Sequence, residues 1–375
     1  MNQARIHVQW NSGSPLKRFQ TGLSLHSHTL HSRESLGFIY KAAAEAPILA
    51  HVLRKGHEQY RLKRGASLDL DRGWWTPPLS PFEAWKLERQ QIESLGYDAL
   101  VSLTDHDDIE APVSLQVLDE CRDVPISFEW TVPFGPTFFH IGLHNLPLHQ
   151  ARPLFEELHA VTGQPCATRV AELLALVASD PASLIVFNHP FWDENRIGAD
   201  LHTATVRDFM DKFGAWLHAI ELNGLRPWTE NLLAIELAKA WEKPVISGGD
   251  RHGFEPNALL NLTTAGTFGE FAEEVRAGYS DVLIMKHYRE SLFTRILHNM
   301  ADILRTHEAH AQGWRLWSDR VFYQFEEGEV RSLTQIFGLG TPAPIRIFVG
   351  GVQFVSQPLF RRWLRDAFAQ REFAV

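Results

Sequence analysis

A chain of 375 residues, 45% hydrophobic and 22% charged, can bury a full core and is too apolar for a disordered polypeptide. A net charge of −9 argues against a surface coated for extended nucleic acid, and two cysteines make no disulfide framework. No run approaches the roughly 18 apolar residues of a membrane span, and residues 1–19 show no export signal, so a cytoplasmic protein in a reducing compartment is expected.

Residues 5–10 alternate as a short strand, and Asn11-Ser12-Gly13-Ser14-Pro15 reads as a turn. A buried strand follows, ending in Leu25-His26-Ser27-His28-Thr29. Residues two apart in an extended chain share a face, so His26 and His28 can present both imidazoles to one point. Residues 37–79 interrupt the pattern with a helical first half that starts at Phe38. Arg54, Lys55, Arg61, Lys63 and Arg64 make this insert basic. It reads either as a solvated helical hairpin or as a cap that attracts an anionic substrate. Ser80-Pro81-Phe82-Glu83 then combines an N-cap, a proline at the first helical position and a capping-box glutamate, and Gly96 marks the helix end.

From here short apolar strands alternate with helices, and polar residues collect where the strands end. Residues 98–103 lead to Thr104-Asp105-His106, 124–128 to Glu129, and 137–139 to His140, with His144 four residues on. After helices near 150–161 and 168–178, strand 184–187 leads to Asn188-His189-Pro190. Helices near 204–216 and 229–242 flank strand 218–222, and strand 244–247 leads to Asp250-Arg251-His252. Alternation of this kind implies a parallel sheet, and polar strand ends suit the active face of a β/α barrel. Residues 291–310 read as one amphipathic helix with Leu292, Ile296, Met300 and Leu304 on a face, 345–355 as β-rich, and 359–369 as a last helix. This C-terminal extension is expected to cover one side of the barrel or to form a homo-oligomer contact. Cys121 and Cys166 are expected as small buried residues.

Six strand-end imidazoles plus carboxylates exceed the needs of one catalytic zinc, which takes about three protein ligands, so two or three divalent transition metals are expected. Nitrogen-rich ligation suits Zn, Mn or Fe. There is neither a phosphate-binding GxxxxGK[ST] loop nor an ordered Ser-His-Asp set.

Taken together, His26-Ser27-His28-Thr29, Thr104-Asp105-His106, Glu129, His140-Ile141-Gly142-Leu143, Asn188-His189-Pro190 and Asp250-Arg251-His252 resemble, in order, the PHP (polymerase and histidinol phosphatase) family of metal-dependent phosphoesterases. The resemblance spans residues 21–290 and implies a distorted (β/α)7 barrel with a trinuclear centre, here with a helical insert and the extension 291–375. It implies that His26, His28, Glu129 and Asp250 hold one metal. Glu129 then bridges to a second on His140 and His189, and His106 and His252 hold a third. Where many relatives carry Ser-Asp-Gly to complete that third site, this chain has Ser32-Arg33-Glu34. A guanidinium offers no lone pair, so Glu34 is taken as the ligand.

The expected reaction is hydrolysis of a small phosphorylated metabolite, nucleotide or short oligonucleotide by a water activated on the metals. Asp105 and His252 are the catalytic candidates, Asp105 as an acceptor that orients a ligand or as a proton carrier. Arg33, Arg196 and Arg251 are expected as phosphate clamps or as structural ion pairs. Phe191-Trp192 is expected to pack in the core or to stack on a substrate ring. A metal-dependent amide hydrolase and a non-hydrolytic regulatory metal protein are the alternative readings.

Overall fold

The computed structural model describes residues 5–9, 16–37, 47–65, 69–326, 328–338, 341, 343–357 and 359–360. The turn at 11–15, the helix start at 38–46 and most of the helix at 359–369 lie outside them.

Fourteen strands are described. The first seven are β1 (Arg5–Gln9), β2 (Thr21–Ser24), β3 (Glu34–Ser35), β4 (Gly73–Trp75), β5 (Asp98–Val101), β6 (Phe128–Phe134) and β7 (Thr137–His144). The others are β8 (Leu184–Phe187), β9 (Ala219–Asn223), β10 (Val245–Gly248), β11 (Leu259–Thr263), β12 (Asp281–Met285), β13 (Val321–Gln324) and β14 (Val330–Ser332). They form two five-stranded sheets, β1-β12-β11-β2-β5 and β10-β9-β8-β7-β6, and a four-stranded sheet β14-β13-β4-β3.

The fold is mixed α/β as expected, but the described strands do not close into the expected distorted (β/α)7 barrel. β1 with β12, β2 with β5, and β8 to β10 pair in parallel, whereas β11 runs antiparallel to both neighbours and β6, β7 and β8 pair antiparallel. A parallel pair needs a long crossover, and only Gly135 and Pro136 separate β6 from β7. The two large sheets meet through isolated bridges rather than a continuous ladder: His106 with Glu129 on one side, Ser27 with Arg251 on the other. Both bridges lie at the candidate site.

Between the sheets, Leu23, Leu25, Leu184, Val186, Ala219 and Ile246 fill the interior. Outside, the helices Leu148–Gly163, Ala167–Ala178, Ala199–Phe213 and Trp228–Ala240 cover the β6–β10 sheet with Leu158, Leu174, Phe209 and Ala234. The helix Pro81–Ser94 begins as its sequence implies, with Ser80 and Glu83 capping each other reciprocally. The described part of the insert holds one long helix, Pro47–Arg64, then a short 3-10 turn, Leu70–Arg72, and β4, rather than a helical hairpin. No described helix is long and apolar enough to cross a membrane.

The extension differs from expectation in two places. The helix Leu292–Ile303 stops well short of residue 310, because Arg320, buried beside it, donates to the carbonyls of Ile303 and Arg305 and ends the turn. Residues Ala343–Val355 are helical rather than β-rich. Val352 and Val355 are three apart and pack on Leu297, so helical spacing prevails over the strand preference of the valines. Cys121 is buried as expected, but Cys166 is exposed, at the residue preceding the helix Ala167–Ala178.

Candidate metal centre

Glu129 sits at the centre of the cluster, fully buried. It is the second residue of β6 rather than a residue beyond a strand end, since the strand starts at Phe128, after Pro125. Its two oxygens face different imidazoles. Oε1 lies 3.1 Å from His189 Nε2 and 3.6 Å from His140 Nδ1, and accepts from Asn188 Nδ2 at 2.9 Å. Oε2 lies 3.0 Å from His26 Nε2, 3.2 Å from His106 Nδ1 and 3.5 Å from His28 Nε2.

Each neighbour arrives by a local rule. His140 on β7 is opposite Thr131 and Gly142 is opposite Glu129, so these side chains share one face of the hairpin. Only glycine fits at 142, where a Cβ would stand 2.7 Å from His144 Nε2 and 2.9 Å from Asn188 Oδ1. His144 lies two residues deeper, bonded to Ser102 Oγ at 2.9 Å, and it joins no group of potential ligands. Of the two, His140 is therefore the one at the cluster. His189 and Asp250 both have left-handed backbones, with φ of 26° and 52°. Such strain in a non-glycine residue is common at functional sites, and here it stands just past the ends of β8 and β10, on either side of β9.

His28, Glu34, His106 and His252 form a second grouping of mutually close donors. Glu34 Oε1 is 3.3 Å from His252 Nε2 and Oε2 is 3.5 Å from His106 Nε2. Asp250 Oδ1 stands 3.5 Å from His28 Nε2 and 3.8 Å from His26 Nε2. These are lone-pair donors packed against each other, as a cation requires. His252 Nδ1 can only donate to the Asp250 carbonyl at 2.9 Å, which leaves its Nε2 lone pair facing Glu34. His26 Nδ1 is held at 2.6 Å by Glu221 Oε1, leaving Nε2 for the cluster. The donor chemistry fits divalent transition metals.

The other expected residues fall elsewhere. Asp105 does not touch a ligand imidazole; it accepts from Thr29 N at 2.5 Å and Thr29 Oγ1 at 2.6 Å, and so fixes the turn after His28. Arg251 is buried and spent on structure, donating to the Gly253 and Phe254 carbonyls and pairing with Glu88. Arg33 is exposed with its guanidinium over Trp74, and Arg196 is exposed on the turn after Trp192.

No family model matches the chain, and no curated protein matches it. Several solved structures resemble parts of it, three of which follow. PsfC from Pseudomonas syringae is 14% identical with a TM-score of 0.40, covering 58% of this chain and 88% of that one. An amidohydrolase from Chromobacterium violaceum with bound sulfate and no metal is 17% identical with a TM-score of 0.30, covering 48% and 84%. A two-domain protein from Bacteroides vulgatus containing a predicted PHP-like metal-dependent phosphoesterase is 15% identical with a TM-score of 0.34, covering 74% and 67%. Scores at this level establish no family. The chemistry has to be read from the side chains themselves.

Three polar residues at the site escaped the sequence reading. Glu221 on β9 grips His26 with one oxygen and the His189 backbone N–H, at 2.8 Å, with the other. Gly248 gives it room, since a Cβ there would overlap Glu221 Oε1 at 1.6 Å. Asn223 Nδ2 donates to Glu221 Oε2 at 3.0 Å. Arg226 Nη2 lies 3.2 Å from Asp250 Oδ2, its guanidinium 3.9 Å above the ring of Trp192, and its Nε is buried without a hydrogen-bond partner. The signal for Glu221 was a carboxylate between Ile220 and Leu222, two residues before Asn223 in the same strand.

Burial opposes charge throughout the cluster, and the carboxylates overrule it at some positions. Burial disfavours the His106 cation, but Glu34 and Glu129 outweigh it and push its pKa up to about 9. Against burial, Glu129 and Glu221 hold His26 well above the ordinary range, and Glu34 raises His252. Burial, then His252, lowers His28 to about 4. Burial raises Asp105 to about 7. A histidine pKa raised in the fold contributes stability that is complete below the unfolded value of about 6.5 and is lost as pH rises through the folded value. The thermal midpoint of chelator-treated protein should therefore fall between pH 6.5 and 9. Added Zn or Mn should reverse the trend, because ligation displaces the imidazole proton and tightens toward pH 9. Differential scanning fluorimetry across that window checks both slopes, and a rising chelated profile would contradict them.

Proposed function

We propose that this chain is a metal-dependent hydrolase of phosphate esters, acting on a small phosphorylated metabolite, nucleotide or short oligonucleotide. The observation that carries the reading is Glu129, whose two buried oxygens face separate sets of imidazoles. One carboxylate so placed suits bridging between two cations. His26, His28 and Asp250 would complete one position, His140 and His189 a second, and Glu34, His106 and His252 a third. Divalent cations at these positions supply activation of a water molecule and neutralisation of phosphoryl charge.

The chain's own residues do the remaining work. Glu221 and the Asp250 carbonyl set which nitrogen of His26 and His252 bears the proton, so that the ligating nitrogens face inward. On this reading His252 serves as a ligand rather than a proton carrier, and Asp105 positions the His28 turn. Arg226 favours phosphate over an amide substrate: its guanidinium is planar, permanently charged and placed at the edge of the cluster by Trp192 and Asp250. Arg226 thus takes the clamp role expected of Arg251.

A panel of phosphomonoesters, phosphodiesters and amides, run on protein whose metal content is measured in the same sample, tests the reading. The expected result is phosphate release at two or three metals per chain, lost on chelation and restored by metal. Amide cleavage alone, or an inert protein at full metal load, would overturn it.

A further inference from the structure

We infer that the small sheet joining the insert to the C-terminal extension selects the substrate, with Trp75 offering a stacking face to a planar ring on the leaving group of the ester. The inference rests on the phosphoesterase reading. β3 pairs with β4 so that Glu34 lies opposite Trp75. Directly opposed residues of an antiparallel pair point to the same face, so the sheet that delivers a carboxylate to the cluster delivers an indole beside it. Trp75 is half-buried, and its ring stands 5.7 Å from the ring of His252, tilted by 44°.

Its neighbour Trp74 points to the other face, stacked on Phe322 at 5.7 Å with the Arg33 guanidinium 5.4 Å from its ring. That face anchors the sheet and leaves Trp75 free for the cluster side. The extension sets the register from behind: Val321 is opposite Trp75, and Thr76 N donates to the Arg320 carbonyl at 2.9 Å. Arg320 is itself pinned by the carbonyls of Ile303, Arg305 and Trp314. An aromatic face held this firmly loses little freedom on binding, so its contact with a ring shows up as affinity. The insert supplies β4 and the extension β13, so both help to present this indole beside Glu34.

Adenosine 5′-monophosphate and ribose 5-phosphate share the scissile ester and differ by the base, so their kcat/KM ratio isolates the ring. In the metal-loaded full chain the ratio should favour the nucleotide by about ten-fold or more, the usual size of base–aromatic stacking. Trp75→Ala should bring the ratio close to one, chiefly through the nucleotide's KM, and Trp75→Phe should keep most of it. A ratio also cancels any loss of folded protein in a variant. Equal rates for the two esters in the unmodified chain, or a ratio that Trp75→Ala leaves unchanged, overturns the inference and leaves the phosphoesterase reading standing. Turnover of neither ester by a protein active on others in the panel overturns it as well. Only a chain inert to every phosphate ester takes both readings down.

Discussion

Glu129→Ala protein should lose phosphate-ester turnover and fail to retain metal through desalting. The carboxylate lies within 3.6 Å of five imidazoles, and it also accepts from Asn188. Without it, His26 and His106 lose a main source of attraction that offsets their burial. Burial would then lower the pKa of both rings, and the cluster would lose the charge that draws a cation in. Because removal of an outer hydrogen-bond partner already costs roughly 10–100-fold in metal affinity or activity, loss of this ligand should cost more than that range. Glu129→Gln separates chemistry from folding: it retains volume and an acceptor for Asn188, yet an amide is a poor bridge between cations. It should unfold close to the parent in chelator and remain inactive with metal, as read by melting curves and inductively coupled plasma analysis. A fully active Glu129→Ala variant would remove the basis for the mechanism.

The second large effect is expected at Glu221→Ala. Glu221 touches no modest surface partner; both of its oxygens are committed, to His26 Nδ1 and to the His189 N–H. Alanine would free the His26 ring to adopt the other tautomer and leave the backbone at left-handed His189 without its acceptor. Metal affinity should fall by about 10–100-fold, with kcat recovering toward the parent as metal is raised. Titration with a competing chelator reads the first quantity, and rates at saturating metal the second. Affinity unchanged from the parent would mean that His26 is oriented by something other than this carboxylate.

Much of the site could be read from the chain because metal ligation leaves residue types where packing would not choose them. His26 and His28 two apart, Asp250 and His252 two apart, and Glu129 after an apolar run stand out at the ends of apolar segments. Glu221 is equally buried but hid inside a strand whose second polar residue, Asn223, is an amide rather than an imidazole or carboxylate. Arg226 hid because its meaning depends on Trp192, 34 positions earlier, meeting it in space. Strands such as β2, β5, β8, β9 and β10 were legible from their apolar runs, but β11, β12 and the small sheet went unread, and so did the strand directions. Alternation with helices suggested parallel pairing, and nothing local in residues 259–263 states that β11 runs against both neighbours. The C-terminal errors have the same source. Arg320 ends a helix some 17 residues before it in sequence, and Val352 chooses helix because Leu297 is there to receive it.

One measurement bears most directly on the whole account: anomalous scattering from crystals of the chain grown with Zn or Mn, recorded at the metal edge. The account predicts peaks on both sides of the Glu129 carboxylate, each within coordination distance of its own set of imidazoles, about 2.0–2.2 Å from nitrogen or oxygen. Peaks elsewhere in the molecule, or none beside Glu129 in metal-saturated protein, would contradict it.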